Sequence, residues 1–479
     1  MRWREAVTPT PMSRVALVAP GPALRDALVR VADAGVMEID RPGTPGSDPP
    51  PGAAAQRLQR LHREGPVPAR LAPVEPDLDE LARAGRADLL AGEAELEALA
   101  AEAVGHGEVA ALVGWVPRPE LPRLAGRLAG VGAAAVPLPV PRGVEPPTVT
   151  RPGPTHQAFA PLVRTYATVP YADIDPTVLA GLAYVVMFGA MFGDAGHGAL
   201  LLAGAALVRL GRVPRLAALR PHWLFIAAAG GASAVFGLAY GEFFGPTGVV
   251  PTLWLAPLEQ PVPLLLAGVG LGAVLLAGAY VLGTVNRVRE GGWAVALYSP
   301  SGLAGSLMFI AAGLAALAWY AGYGWAGVAA GALAVTGVVL AYIGFLGGSR
   351  GGPGAVVQAA VELFDMVLRV GTNVVSFARL AAFGLTHAVL GAIVWESTAG
   401  LWRRGAWLLV AAVLVFVAGN ALSFALEALV AGVQALRLEY YELFSRVFQL
   451  EGRPFRPWHV PTAGPHPPEE PEEKTCLSG

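Results

Sequence analysis

Hydrophobic and polar positions divide this chain into two kinds of text. Up to about residue 155, short apolar runs alternate with charged and proline-rich ones. SRVALVAP reads as a strand, PALRDALVRVADAG as a helix closed by Gly35, and VMEID as a second strand. After the Pro/Gly linker 42–53 come two helical patches, AAAQRLQRLHREG and LDELARAGRADLLAGEAELEALAAEA. The leucines of the second have near-heptad spacing over little more than three heptads, which suits a short helical hairpin better than a coiled coil. VAALVGWVP, PELPRLAGRLAG and AAAVPLPV repeat the strand-helix-strand rhythm, and PRGVEPPTVTRPGP is a linker. The pattern predicts a small α/β domain with a short helical arm over 1–150, followed by a linker over 151–175.

From Asp173 onward, runs of bilayer length take over. About eight spans are predicted, each near the ~20 residues that a ~30 Å hydrocarbon core requires: 176–192, 195–210, 222–244, 262–285, 301–321, 325–347, 356–396 and 406–448. The last two exceed that need and must be tilted, kinked or extended into water. The expected fold is therefore mainly α, with eight transmembrane helices over 176–450 preceded by a cytoplasmic α/β domain and followed by a cytoplasmic tail over 451–479.

Composition agrees with a membrane chain: 54% of residues are hydrophobic, 15% are charged, and mean hydropathy is +0.51. A net charge of −2 offers no argument for a nucleic-acid partner, and none is expected. The single cysteine, Cys476, excludes an intramolecular disulfide or a cysteine metal cage. The apolar stretch near the amino terminus is too short for a signal peptide, so that end is expected to stay in the cytoplasm. Arg209, Arg212, Arg215, Arg220, Arg287, Arg289 and Arg350 then fall on the inner side, with Arg403 and Arg404 as the outer exceptions. Both termini are expected inside.

The last two apolar stretches carry charges that an insertion scale penalises by about 2.5–3.5 kcal/mol each at mid-membrane. Arg379 stands in SFARLAAFGLTHAVL and Arg437 in EALVAGVQALRLEYYE. At about 100° per residue, Asp365 lies roughly 40° and His387 roughly 80° from Arg379 on one side of a helix. Glu427 lies within about 80° of Arg437 and roughly 15 Å along the axis. Two such helices face to face would carry a ladder of carboxylate, imidazole and guanidinium, the pattern of a proton or ion path. The alternative is that the charges pair with one another and hold the helices together, or snorkel. Asp194 and His197, in the tight MFGDAGHG turn, fit capping and close packing better than conduction. Glu242 fits an interfacial charge equally well, and Arg369 fits snorkelling to the inner interface.

Several of these segments resemble, in order and spacing, the large stator subunit of rotary V-type and A-type ATPases, called a in eukaryotes and I in prokaryotes. They are PYADIDPT at 170–177, FGAMFGDAGHG at 188–198, FGLAYGEFFG at 236–245, VNRVREGGW at 285–293, SFARLAAFGLTHAVL at 376–390 and the stretch 427–458. VGWVP at 113–117 resembles the family's segment before the membrane. The resemblance implies eight transmembrane helices, the last two steeply tilted against a rotating proteolipid ring. It implies an essential arginine at Arg379 and its neighbour at Arg437, with Glu427, His387 and Asp365 along two half-channels. Glu439 falls where some members have histidine, and its role stays open. Further implied partners are peripheral-stalk subunits, a central-stalk or rotor-cap subunit and the lipid of a prokaryotic plasma membrane. The amino-terminal domain is short for this family.

The only lysine, Lys474, lies in the tail, so this chain has no G-x-x-x-x-G-K-[ST] phosphate loop, and ATP chemistry is expected on other subunits. No HExxH, EF-hand or nucleophile-elbow pattern occurs, and no metal or organic cofactor is expected. Rival readings are a stand-alone secondary transporter whose arginines bind an anionic substrate, and a nonconducting membrane scaffold. A transporter of that kind is expected to repeat its halves, and 322–450 shows no convincing repeat of 176–320.

Overall fold

Alternating burial along Met12–Pro20 (β1) sends Val15, Leu17 and Ala19 to one side, and the rest of the amino-terminal domain is assembled on that face. The computed structural model describes residues 8–40, 50–61, 65, 67–141, 143–149, 153–212, 214–349, 351–448 and 451–462. Most of the linker 42–53, together with Arg350, Lys474 and Cys476, lies outside them. By internal contacts the chain divides into two units, one from 10–149 with 453–479 and the other from 1–9 with 150–452.

In the first unit, β1 is followed by α1 (Leu24–Ala34), ended by Gly35 in the left-handed conformation at φ 58°, and by the two-residue strand β2 (Glu38–Ile39). A hairpin of α2 (Ala53–Leu61) and α4 (Ala87–Ala101) follows, with the short α3 (Leu78–Arg83) between them. Glu97 of α4 accepts the Ala54 N–H of α2 at 2.9 Å. The second helical patch, which reads as one run in the sequence, is thus divided near Gly85, whose φ is 68°. The strands β3 (Val104–His106) and β4 (Val109–Pro117), then α5 (Leu121–Ala129) and β5 (Ala134–Leu138) complete the unit. The sheet runs β2-β4-β1-β5 with β3 beside β4, and every pairing is antiparallel. This is a split β-α-β arrangement, with β4 inserted between β1 and β2. Its core joins Leu17, Leu112 and Val116 to Leu28 and Val31 of α1 and Leu124 and Leu128 of α5. Each fully buried leucine or valine there is worth about 1.5–3 kcal/mol.

The segment after the last membrane helix belongs to this same unit. Trp458 N donates to Met37 O at 2.9 Å, Arg456 N to Glu38 at 2.7 Å, and Arg453 pairs with both Glu38 and Asp40.

The second unit opens with α6 (Pro154–Arg164), α7 (Thr177–Met191) and α8 (Ala195–Leu210). There follow α9 (Trp223–Tyr240), α10 (Pro261–Tyr298), α11 (Leu303–Tyr320) and α12 (Gly324–Gly348), then α13 (Pro353–Ser376), α14 (Ala378–Arg403) and α15 (Leu409–Leu438). Among the described residues, six helices are long and apolar enough to cross a membrane. The first two of the eight expected spans are shorter: α7 and α8 have 15 and 16 residues, or about 22–24 Å at the helical rise. They are held by close packing, in which small residues let backbones meet. A Cβ at Gly237 of α9 would lie 2.1 Å from the Ala195 nitrogen. The long α10 is broken at Gly292, where φ is 73°.

Where α13 meets α14 the helical ladder tightens, with Phe377 N bonded to Val374 O and Leu380 N to Phe377 O. Phe377 is fully buried against Gly272 of α10. Beyond α15 the backbone widens into a π-helical turn, Glu439–Phe444, before the short α16 (Ser445–Val447).

Candidate functional site

The turn joining α7 to α8 sets up the first of two charged regions. Asp194 is extended, at φ −137°, and caps α8 by accepting the His197 N–H at 2.9 Å. The same carboxylate accepts Phe244 N at 3.0 Å and Gly245 N at 2.8 Å, so it also fixes the loop after α9. That loop is strained: Phe244 has φ 52°, a conformation few non-glycine residues adopt. The capping read from the MFGDAGHG turn is therefore real, and it points His197 into the bundle.

Three further elements bring the cluster together: the loop after α9, α14 and α15. Glu242, expected as an interfacial charge or a path residue, is only 3% exposed, so the interfacial reading does not hold. Its Oε2 lies 3.8 Å from Nε2 of His387 on α14. The same nitrogen is 3.9 Å from Asp194 Oδ2, and the His387 Nδ1 contacts Glu427 of α15. Rings close around the imidazoles: Phe192 is 5.1 Å from His387, and Phe244 and Phe424 are 5.2 and 5.5 Å from His197. The two imidazoles are 5.7 Å apart. Three carboxylates and two histidines, from Asp194 to Glu427, 233 residues apart, thus meet in one largely buried cluster.

The second region surrounds Arg379, at the start of α14. Its Nε donates to Ser376 O at 3.0 Å, satisfying a carbonyl at the helix break, and its Nη2 donates to Glu442 at 2.9 Å. Glu442 was not among the candidates. It sits five residues after Arg437, a spacing that an α-helix would turn to another face, and the π turn is what directs it inward. An acid five residues beyond an arginine in a long apolar run is the one signal for it in the sequence. Arg437 is exposed and, with Arg379, lines an open groove of about 710 Å³. Its remaining walls include Val367, Leu368 and Val375, which are also exposed.

Two other candidates fall outside both regions. Asp365, expected beside Arg379, is exposed and paired at 2.6 Å with Arg369, one turn along α13. A carboxylate next to an arginine at (i, i+4) finds that partner first, and the break at Phe377 interrupts the register on which the longer alignment relied. Glu439 is 1% exposed at the edge of a separate apolar cavity of about 340 Å³ between α7 and α10.

The PYADIDPT motif, just before α7, forms a third polar knot. Asp175 accepts from Thr177 N at 2.9 Å and contacts His156 Nε2 at 2.8 Å. Burial raises the Asp175 carboxyl, but the His156 and Thr177 hydrogen bonds outweigh it and hold the group below its usual range. Asp173 is pushed up to about 8, first by burial and then by Glu290 beside it. Asn286 of α10 accepts Ile174 N, and Arg287, read as an inner-side charge, is 1% exposed and paired with Glu290 at 2.6 Å.

Residues 103–216 match the V-type ATPase 116kDa subunit family. The chain is 28% identical over 378 residues to an A-type ATP synthase subunit I of Aeropyrum pernix, covering 67% of this chain and 52% of that protein. It is 27% identical over 370 residues to the A-type ATP synthase subunit I of Thermococcus kodakarensis, covering 73% and 54%. A V-type ATP synthase subunit I 2 of Treponema pallidum is 32% identical over 171 residues, 33% of this chain and 36% of that protein. The chain spans about half the length of the first two relatives.

Proposed function

We propose, from the match of residues 103–216 to the V-type ATPase 116kDa subunit family and the similarity to A-type ATP synthase subunit I proteins, that this chain is the stationary ion-translocating subunit in the membrane sector of a rotary ATPase. One observation carries this reading. Arg379 and Arg437 line an open groove whose other walls include the exposed apolar side chains of Val367, Leu368 and Val375. A guanidinium beside a lipid-exposed apolar face calls for a covering partner that brings its own carboxylates, and a ring of proteolipid subunits is such a partner.

The mechanism follows from solvation. A ring carboxylate facing lipid is neutral, because an ionised one there is too costly. Opposite Arg379 it can ionise, since arginine keeps its charge where a buried lysine could lose it. A proton enters from one aqueous half-channel, rides the ring as a neutral acid and leaves by the other, while the arginine prevents a direct leak between them. His387, Glu427, Glu242, Asp194 and His197 form the polar lining of one half-channel. Glu442 holds Arg379 between passing ring acids. Asp365 lies on the opposite approach, Glu439 is a reserve acid off the main path, and both termini face the cytoplasm of a prokaryotic cell. This chain carries no ATP chemistry, which belongs to head subunits reached through peripheral and central stalks.

The test is ATP-driven acidification of inverted membrane vesicles. Arg379→Ala is expected to abolish it while the variant still co-purifies with a proteolipid ring. Normal pumping by that variant overturns the proposal. So does a wild-type chain that purifies without a ring and moves an anionic solute in liposomes.

A further inference from the structure

We propose that Asp194, His197 and His387, with Glu242 as a fourth donor, form a binding site for a divalent transition-metal cation of the zinc type. One donor atom from each of the first three lies within 4.8 Å of the others, and their residues are 0%, 2% and 3% exposed. His197 Nδ1 is 3.8 Å from Asp194 Oδ1, and His387 Nε2 is 3.9 Å from Asp194 Oδ2 and 3.8 Å from Glu242 Oε2. Tetrahedral zinc with bonds of about 2.0–2.1 Å sets its donors roughly 3.4 Å apart. The edges of 3.8–3.9 Å would need to close by about half an ångström, and an edge at the 4.8 Å bound by about 1.4 Å, a movement within the reach of side-chain rotation.

A second, independent observation points to a ligand. Among the described residues, neither ring nitrogen of His197 has a hydrogen-bond partner, and Nε2 of His387 has none either, although both rings are buried. Buried polar atoms are normally satisfied, so such orphans require an explanation. The His387 Nδ1 meets Glu427, which fixes the tautomer with Nδ1–H donating and aims the Nε2 lone pair into the cluster. This is the carboxylate–histidine–metal arrangement by which proteins orient a ligating imidazole. Asp194 Oδ2 accepts from Gly245 N and keeps a lone pair for an ion.

Donor chemistry selects the cation. Two imidazoles with carboxylates suit zinc, copper, nickel or iron, whereas calcium and magnesium prefer all-oxygen shells. A divalent charge would also neutralise the buried carboxylates. The binding claim stands on these residues alone. Its consequence, that the bound cation blocks proton passage, rests on the function proposed above.

The experiment uses the full chain purified in detergent, stripped of metal and titrated with Co²⁺. One Co²⁺ per chain is expected, displaced by Zn²⁺, with a spectroscopic signature of imidazole ligation. Glu427→Gln, which leaves every ligand in place, is expected to weaken binding by about 10–100-fold. His197→Gln and His387→Gln should remove the imidazole signature. No stoichiometric binding overturns the proposal, as does a wild-type spectrum with oxygen donors only, or binding indifferent to both histidine substitutions. In vesicles containing the intact complex, Zn²⁺ should slow proton pumping at the concentrations that fill the site. Filling without slowing supports the metal site and removes this cluster from the proton path.

Discussion

The two charged regions of the membrane unit are built to opposite plans. Around Arg379 the positive charge is open: the guanidinium is about a quarter exposed, and its groove is walled in part by the exposed Val367, Leu368 and Val375. Around His387 the charge is closed: acids and imidazoles are sealed among Phe192, Phe244 and Phe424, and the turn holding them is fixed by the Asp194 cap. An open cation suits an exchange of passing partners. A sealed set of weak acids and bases suits the handing on of small cations, since every member is within reach of another. The difference shows why the two regions should respond unequally to the loss of charge.

The largest effect is expected from Arg379→Ala, already described, which removes the open cation altogether. Next, Glu427→Gln keeps the shape of the closed region but leaves His387 without its acid, and proton flux in vesicles is expected to fall by about a hundredfold. Wild-type flux in that variant would reduce the closed region to helix packing. Glu442→Gln keeps a hydrogen-bond acceptor for Arg379 but removes the charge. Its expected cost is about 1–2 kcal/mol in detergent unfolding, with pumping reduced less than in either previous variant. Pumping as low as that of Arg379→Ala would mean that the pair, and not the free guanidinium, carries the function.

The smallest expected effect lies outside both regions and serves as their control. Asp173, near Glu290, Arg287 and Arg289, has its carboxyl raised from 3.8 to about 8 in the folded chain. The folded form therefore holds a proton that the unfolded chain has already released. Its contribution to stability is complete below about pH 4 and is lost as pH climbs toward 8. Asp173→Asn should flatten this decline and melt about 2–4 °C above wild type at pH 8, measured in detergent. A variant melting below wild type at pH 8 would show that the ionised carboxylate, paired with the arginines, is the native form.

Much of the fold was legible in one dimension. Alternation marked β1 and β4, helical period and Gly35 marked α1, and long apolar runs marked the spans. Register-dependent statements fared worse. A phase of 100° per residue placed Asp365 beside Arg379, but that arithmetic assumes an unbroken helix, and the chain tightens at Phe377. The same assumption hid Glu442, which only a π turn brings to Arg379. Glu242 read equally as an interfacial charge or a path residue, because it follows an apolar run, and nothing local to FGLAYGEFFG reveals that a helix some 145 residues later presents a histidine to it.

What the sequence determined by itself was composition along a line: which stretches are apolar enough for lipid, which charges are trapped inside them, and which turns can cap a helix. These depend on the side chain and its near neighbours. What only the tertiary structure decided was partnership, the meeting of His387 with Asp194, Glu242 and Glu427, and of Arg379 with Glu442. A hydrogen bond or ion pair falls off within a few ångströms, and separations that small between distant residues are set by how helices cross and where their ladders break.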